Sequence, residues 1–187
     1  MRHIATLVLM LNIGAAVYAH DRTVTMTFSG NGAYSSAVNL QQPNTSNVEE
    51  NVAGNGTLGA FTLRNISAES ASPQASNTCS GANDLYFPRV VGAGILRFQD
   101  GSLLTVSLTQ GGDCVDLIAV QGHCTLTLQI SGGTGRFKNS SGTLTYTETA
   151  VPVLADALNN PVFFTETGEL TGTISGISGE QSQGAAP

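Results

Sequence analysis

The residues best suited to chemistry in this sequence are carboxylic acids: Glu148, Glu166 and Glu169 in the last strand-like stretches, and Asp113 and Asp116 on either side of Cys114-Val115. A carboxyl group taken out of water ionises late, and can then give or take a proton near neutral pH. Glu148 has the clearest context. It follows Leu144 and Tyr146 at a spacing of two, so in a strand all three share a face. If that face points into a closed barrel, Glu148 is a buried or mouth-lining acid with a raised pKa, usable as a general acid or base. If the strand has already emerged into solvent, Glu148 is an ordinary surface acid.

Other chemistries find less support. A nucleophilic triad needs a histidine, and beyond the N-terminal leader described below only His20 and His123 are available; no Gly-x-Ser-x-Gly elbow is present. His20 would become the terminal residue after leader removal and could chelate copper, but His123 is the only second imidazole, and a frayed terminus is the plainer reading. No Cys-x-x-Cys pair supports zinc. Gly132-Gly133-Thr134-Gly135-Arg136-Phe137 looks like a phosphate loop, yet it lacks the Lys-Ser/Thr ending and joins strand to strand, which makes it a glycine turn. Asn-x-Ser/Thr triplets at Asn44, Asn55, Asn65 and Asn139 would be glycosylated only in a eukaryotic host, and chance matches are common in so Asn-, Ser- and Thr-rich a chain. No metal and no cofactor are expected.

The elements that must position these residues are strands. Val24, Met26 and Phe28 alternate with threonines, and the same rule gives Leu104, Val106 and Leu108, then Leu126, Leu128 and Ile130, then Leu144 and Tyr146, then Leu170 and Ile174. Period-two alternation with Thr and Ser opposite marks half-buried strands with one wet face. No apolar series runs at helical spacing, and the 22 glycines would interrupt one. Asp100-Gly101, Gly111-Gly112-Asp113, Gly122, Gly132-Gly133 and Ser141-Gly142 punctuate the strands as hairpin turns. The pairs Gly54/Gly56 and Gly92/Gly94 let a sheet coil tightly, favouring closure over an open sandwich. The expected fold is all-β, a closed antiparallel barrel of about eight strands, with a β-sandwich as the alternative. Residues 39–51 and 70–83 read as long polar loops.

Residues 1–19 read as an export signal: Arg2 and His3, an apolar run from Ile4 to Val17, then Val17-Tyr18-Ala19 before a polar start. The run is shorter than the roughly 20 residues a membrane span needs. The barrel domain is then expected over 20–176 and a loose tail over 177–187, with the protein secreted, extracellular or periplasmic. Without Arg2, 6 basic residues face 13 acidic ones, and none of the basic residues cluster. That balance argues against nucleic-acid or anionic-membrane partners. Export permits a disulfide among Cys79, Cys114 and Cys124. Cys114 and Cys124 flank one short segment and are the expected pair, leaving Cys79 free; a bridge from Cys79 to either stays open.

The run Ile130-Ser131-Gly132-Gly133-Thr134-Gly135-Arg136-Phe137, followed by Ser141-Gly142-Thr143-Leu144-Thr145, resembles the glycine hairpin of the allene oxide cyclase-like barrels, which include plant dirigent proteins with their Gly-Gly-Thr-Gly-x-Phe turn. Val91-Gly92-Ala93-Gly94-Ile95-Leu96-Arg97-Phe98 resembles the same family's strand punctuation. The resemblance implies an eight-stranded antiparallel barrel with an apolar cavity for a hydrophobic or phenolic small molecule. It transfers no catalytic residue. Three readings follow: a barrel that binds a small apolar ligand through Leu126, Leu128, Ile130, Tyr146 and Glu148; a cyclase- or isomerase-like enzyme using the same cavity; and a structural or surface-associated module with a filled core. Ligand binding leads.

Overall fold

A computed structural model of the chain describes residues 21–35, 42–81, 84–158 and 160–178. The expected export signal and most of the expected tail lie outside these residues. Eight strands close into one antiparallel barrel in sequence order: β1 (Arg22–Ser35), β2 (Thr45–Gly56), β3 (Phe61–Ser70), β4 (Asp84–Phe98), β5 (Leu103–Asp116), β6 (Gln121–Gly133), β7 (Ser141–Ala155) and β8 (Pro161–Ser175), with β8 pairing back onto β1. The barrel, not the sandwich, is the fold. Closure removes the free edges that an open sheet would expose. The only helical element among the described residues is one 3₁₀ turn, Gly135–Phe137.

Strands alternate direction, so the barrel has two chemically different ends. At the end where β1 begins, Leu58, Phe61, Phe98 and Phe137 are buried and plug the opening. Arg136 caps the plug, with its guanidinium carbon 4.6 Å from the Phe137 ring centroid and 4.9 Å from that of Phe98. Its Nη2 donates to the Leu58 carbonyl at 2.6 Å. The glycine run thus builds a stopper. Gly135 sits at φ +58°, and a β-carbon there would run into Ser102. Ile177 packs on this core and the Ser178 amide donates to the Arg136 carbonyl at 2.8 Å, so ordered contacts extend past residue 176.

Above the plug the interior is filled by Val24, Met26, Leu96, Leu104, Val106, Leu126, Leu128, Ile130, Leu144 and Leu170, all buried. Register places Leu126 opposite Tyr146 and Leu128 opposite Leu144, as the shared period requires. Phe28 stacks on Tyr146 at 4.7 Å between ring centroids. Gly168 makes that stack fit, because a β-carbon there would lie 2.7 Å from the Phe28 ring.

Two expectations are corrected. The stretch 45–51 is the first half of β2, not loop: Val48, Glu50 and Val52 point inward, and a glutamate at an inward position conceals the alternation. Gly111, Gly112 and Gly122 lie within β5 and β6 and are not turns.

The disulfide is also corrected. Cys79 bonds Cys114, and Cys124 is a buried free thiol. In the β5–β6 hairpin Asp113 faces Cys124 while Cys114 faces His123, so Cys114 and Cys124 stand on opposite faces of the sheet. Cys114 instead looks outward and ties down the stretch around Cys79. Non-reducing peptide mapping should recover Cys79 joined to Cys114, with Cys124 alkylated only after unfolding. Reducing that bond should cost about 2–4 kcal/mol in urea unfolding; a Cys114–Cys124 peptide would contradict the topology.

Candidate functional site

The other half of the barrel interior is polar, and every strand contributes to it. Tyr34 comes from β1, Glu50 from β2, Asn65, Ser67 and Glu69 from β3, Arg89 from β4 and Asp113 from β5. Cys124 on β6, Tyr146 and Glu148 on β7 and Glu166 on β8 complete the ring; apart from half-buried Tyr34, all of these side chains are buried.

Arg89 sits at its centre. Its Nε and Nη2 grip both oxygens of Asp113 at 2.6 and 3.0 Å, and its Nη1 donates to Glu50 Oε1 at 3.0 Å and to Ser67 Oγ at 2.6 Å. Glu69 adds a third carboxyl at 3.5 Å. A two-pronged grip of this kind fixes both orientation and charge. Burial works against the Arg89 charge, but Asp113 and Glu50 outweigh it and hold the guanidinium ionised beyond its ordinary range.

Both members of the Arg89–Asp113 pair reach the interior through irregularities in the strands. Inward positions on β4 are Phe98, Leu96 and Gly94; both Val90 and Val91 face outward at a bulge opposite Ala68/Glu69, and the phase change turns Arg89 in. On β5 the inward series Leu104, Val106, Leu108 is rephased between Leu108 and Gln110, which turns Asp113 in and Cys114 out. Bulges re-aim side chains in this way at functional sites.

Beside the arginine lies an acid pair. The Tyr146 hydroxyl is 2.7 Å from Glu148 Oε2 and 3.1 Å from Glu166 Oε2. A phenol has one proton to give, so one of these two contacts requires a carboxyl to act as donor. Burial, then the nearby Glu50 charge, then the contact with Glu166 push Glu148 well above the usual carboxylate range. Burial likewise raises Glu69 and Glu50; Asp113 adds to the rise at Glu69, while Arg89 opposes it at Glu50. Burial pushes the Cys124 thiol up, with Asp113 adding to it, which makes the thiol inert as a nucleophile at neutral pH. Tyr34 is raised by burial and by Glu69, to which it donates at 3.4 Å.

Above this floor opens a cup of about 720 Å³ at the mouth. Glu69, Arg89, Asp113 and Glu148 form its base, and Tyr34, Phe87, Val115, Ala150, Pro152 and Phe164 its walls. Of the five residues expected to line a ligand site, Glu148 lines the cup. Leu126, Leu128 and Ile130 are packed in the core below, and Tyr146 lies under the floor as the partner of Glu148. The reason is the filling just described: Phe28, Tyr146 and the leucines occupy the barrel's middle. Asp116 caps the β5–β6 turn by accepting the Ile118 and Ala119 amides, and Glu169 is exposed. His123 is on the outer wall between Gln121 and Thr149. Asn65, one of the glycosylation triplets, is buried and donates to Glu50. Sequence reasoning passed over Tyr34, Glu50, Glu69 and Arg89. Glu50 was findable from Val48 and Val52 on either side of it; Arg89 and Asp113 depend on bulges that alternation does not reveal.

No protein-family model matches the sequence, and no curated protein matches it. Among solved structures, that of a pterocarpan synthase dirigent protein is similar over 92% of this chain and 97% of its own, at 10% identity and a TM-score of 0.27. A likeness at that score carries no argument about ligand or chemistry; the eight-stranded barrel stands on its own closed ring of strand pairs.

Proposed function

We propose that the protein binds one small hydrophobic or phenolic molecule in the cup at the barrel mouth, and that it does so outside the cytoplasm after removal of residues 1–19. The observation that carries this reading is the cup itself: about 720 Å³, with Phe87, Val115, Ala150, Pro152 and Phe164 in its walls, Glu69, Arg89, Asp113 and Glu148 at its base, and further polar side chains such as Asp116, Asp156 and Asn160 around it. Ligand sites in proteins have this size and make-up. The disulfide and the leader-like N-terminus support export. A second reading, a cyclase- or isomerase-like enzyme, draws on one specific feature: Glu148 lines the cup and its pKa is raised well above the carboxylate range beside Tyr146 and Glu166, as suits a general acid.

The location is tested by two tryptophan substitutions. Ala150→Trp places bulk in the cup and should abolish uptake of an apolar fluorescent probe with little change in stability. Leu128→Trp overfills the packed middle and should cost about 1–3 kcal/mol or more. Probe uptake unaffected by Ala150→Trp would remove the cup from consideration. Recovery of the natural ligand unchanged after long incubation would favour binding over turnover.

A further inference from the structure

We propose that the cup is a site for an organic ammonium: a small molecule with an apolar body and one protonated amine, seated with the amine against Glu148. This rests on the reading of the cup as the ligand site and adds the charge that the ligand carries.

Charge at the lining is one-sided. Glu69, Asp113, Asp116, Glu148 and Asp156 line the cup, and Arg89 is its sole basic residue among those described. Nor is Arg89 free to receive an anion. Four of its N–H groups are taken by Asp113, Glu50 and Ser67, leaving one of the five that a guanidinium has. An anionic ligand would meet five carboxyl groups and one arginine already engaged by its own partners.

A second, independent observation points to what is missing. Glu148 Oε1 is buried and has no hydrogen-bond partner, and Glu166 Oε1 behind it is in the same condition. Orphaned buried carboxyl oxygens are costly, and a donor entering from the cup would satisfy the outer one. An ammonium brings three N–H donors and a charge. The walls suit the same group: Tyr34, Phe87 and Phe164 line the cup, with Tyr34 and Phe164 edge to face at 6.0 Å. Aromatic faces attract a desolvated cation, and they cover the apolar remainder of its molecule.

Binding would be a proton exchange. The Glu148 carboxyl releases its proton to solvent as the ammonium arrives, leaving a carboxylate paired with a cation and no net change in site charge beyond that exchange. The groups facing Glu148 are Glu50 from β2, Arg89 from β4, Asp113 from β5, Cys124 from β6, Tyr146 on its own strand and Glu166 from β8. Three of the six are carboxylic acids, one is a thiol and one is a phenol. The incoming cation therefore replaces a proton in a place where carboxyl groups outnumber the one guanidinium, whose N–H groups are mostly taken by Asp113, Glu50 and Ser67.

Calorimetric titration of the exported-length chain with three matched probes tests this: 2-phenylethylammonium, 2-phenylethanol and 3-phenylpropanoate. The ammonium should bind at least about tenfold more tightly than the alcohol, and the carboxylate should show no heat of binding. Titrations in buffers of different ionisation heat should show about one proton released per ammonium bound. Glu148→Gln should weaken the ammonium about tenfold and leave the alcohol nearly unchanged. Equal or tighter binding of the alcohol or the carboxylate overturns the inference while leaving the cup as a ligand site. Failure of all three probes overturns both.

Discussion

Replacing Arg89 with methionine should cost the barrel about 3–5 kcal/mol at pH 7, the largest loss expected from any single substitution in the polar half. The side chain is buried, and its removal leaves the Asp113 carboxylate without both of its charge-assisted bonds and Glu50 without one. Methionine fills much the same volume, so the loss reports charge rather than a cavity. The distinguishing feature is its pH dependence. Lowering the pH protonates the stranded acids and should recover part of the loss, whereas damage to packing would persist at every pH. Urea unfolding of the parent and Arg89→Met at pH 7 and pH 5 measures both. A loss below about 1 kcal/mol at pH 7 would mean the cluster tolerates its acids without the arginine, as it could only if they are already neutral.

That arginine marks the boundary of what the sequence makes legible. Period two holds wherever the inward residues are apolar, so β1, β6, β7 and β8 could be read directly, with Leu126, Leu128, Leu144 and Tyr146 facing one another as expected. Glu148 was legible for the same reason: it continues the phase of Leu144 and Tyr146, and it is indeed buried with a raised pKa. Reading failed where inward residues are polar or where phase slips. Over residues 45–51 alternation does not show β2, because Glu50 occupies a core position. The bulges in β4 and β5 invert the parity that ordinary alternation assigns to Arg89, Asp113 and Cys114. The phase slip in β5 puts Cys114 and Cys124 on opposite faces, and together with the slip in β4 it brings the Arg89–Asp113 pair inside. A polar half-barrel is the part of this fold that period two describes least well.

The same buried acids give the protein an inverted response to pH. Glu148 and Glu69 are both raised well above their ordinary range, chiefly by burial. In the unfolded chain they ionise near the normal value for glutamate, about 4.3. Between that pH and the folded-state value, the unfolded chain binds fewer protons than the folded one, and stability falls as pH rises. The stabilisation is complete below the unfolded value and is lost on passing up through the folded one. Each proton held only by the folded state contributes a slope of about 1.4 kcal/mol per pH unit, and two held together about 3. Asp100, Asp116 and Asp156, lowered by turn hydrogen bonds, act in the opposite sense and only below about pH 4. Stability should therefore decline as pH rises above about 5, the reverse of a protein whose carboxylates are stabilised as anions. Glu148→Gln replaces a neutral acid with a neutral amide of the same shape, so it should leave stability at pH 5 within about 1 kcal/mol and remove about 1.4 kcal/mol per pH unit from the slope above it. Urea midpoints at each pH, with unchanged m, measure the effect. Stability that climbs from pH 5 to pH 8 would show that the cluster folds with its glutamates ionised, and the protonated Glu148 on which the acid-base reading depends would then be lost with it.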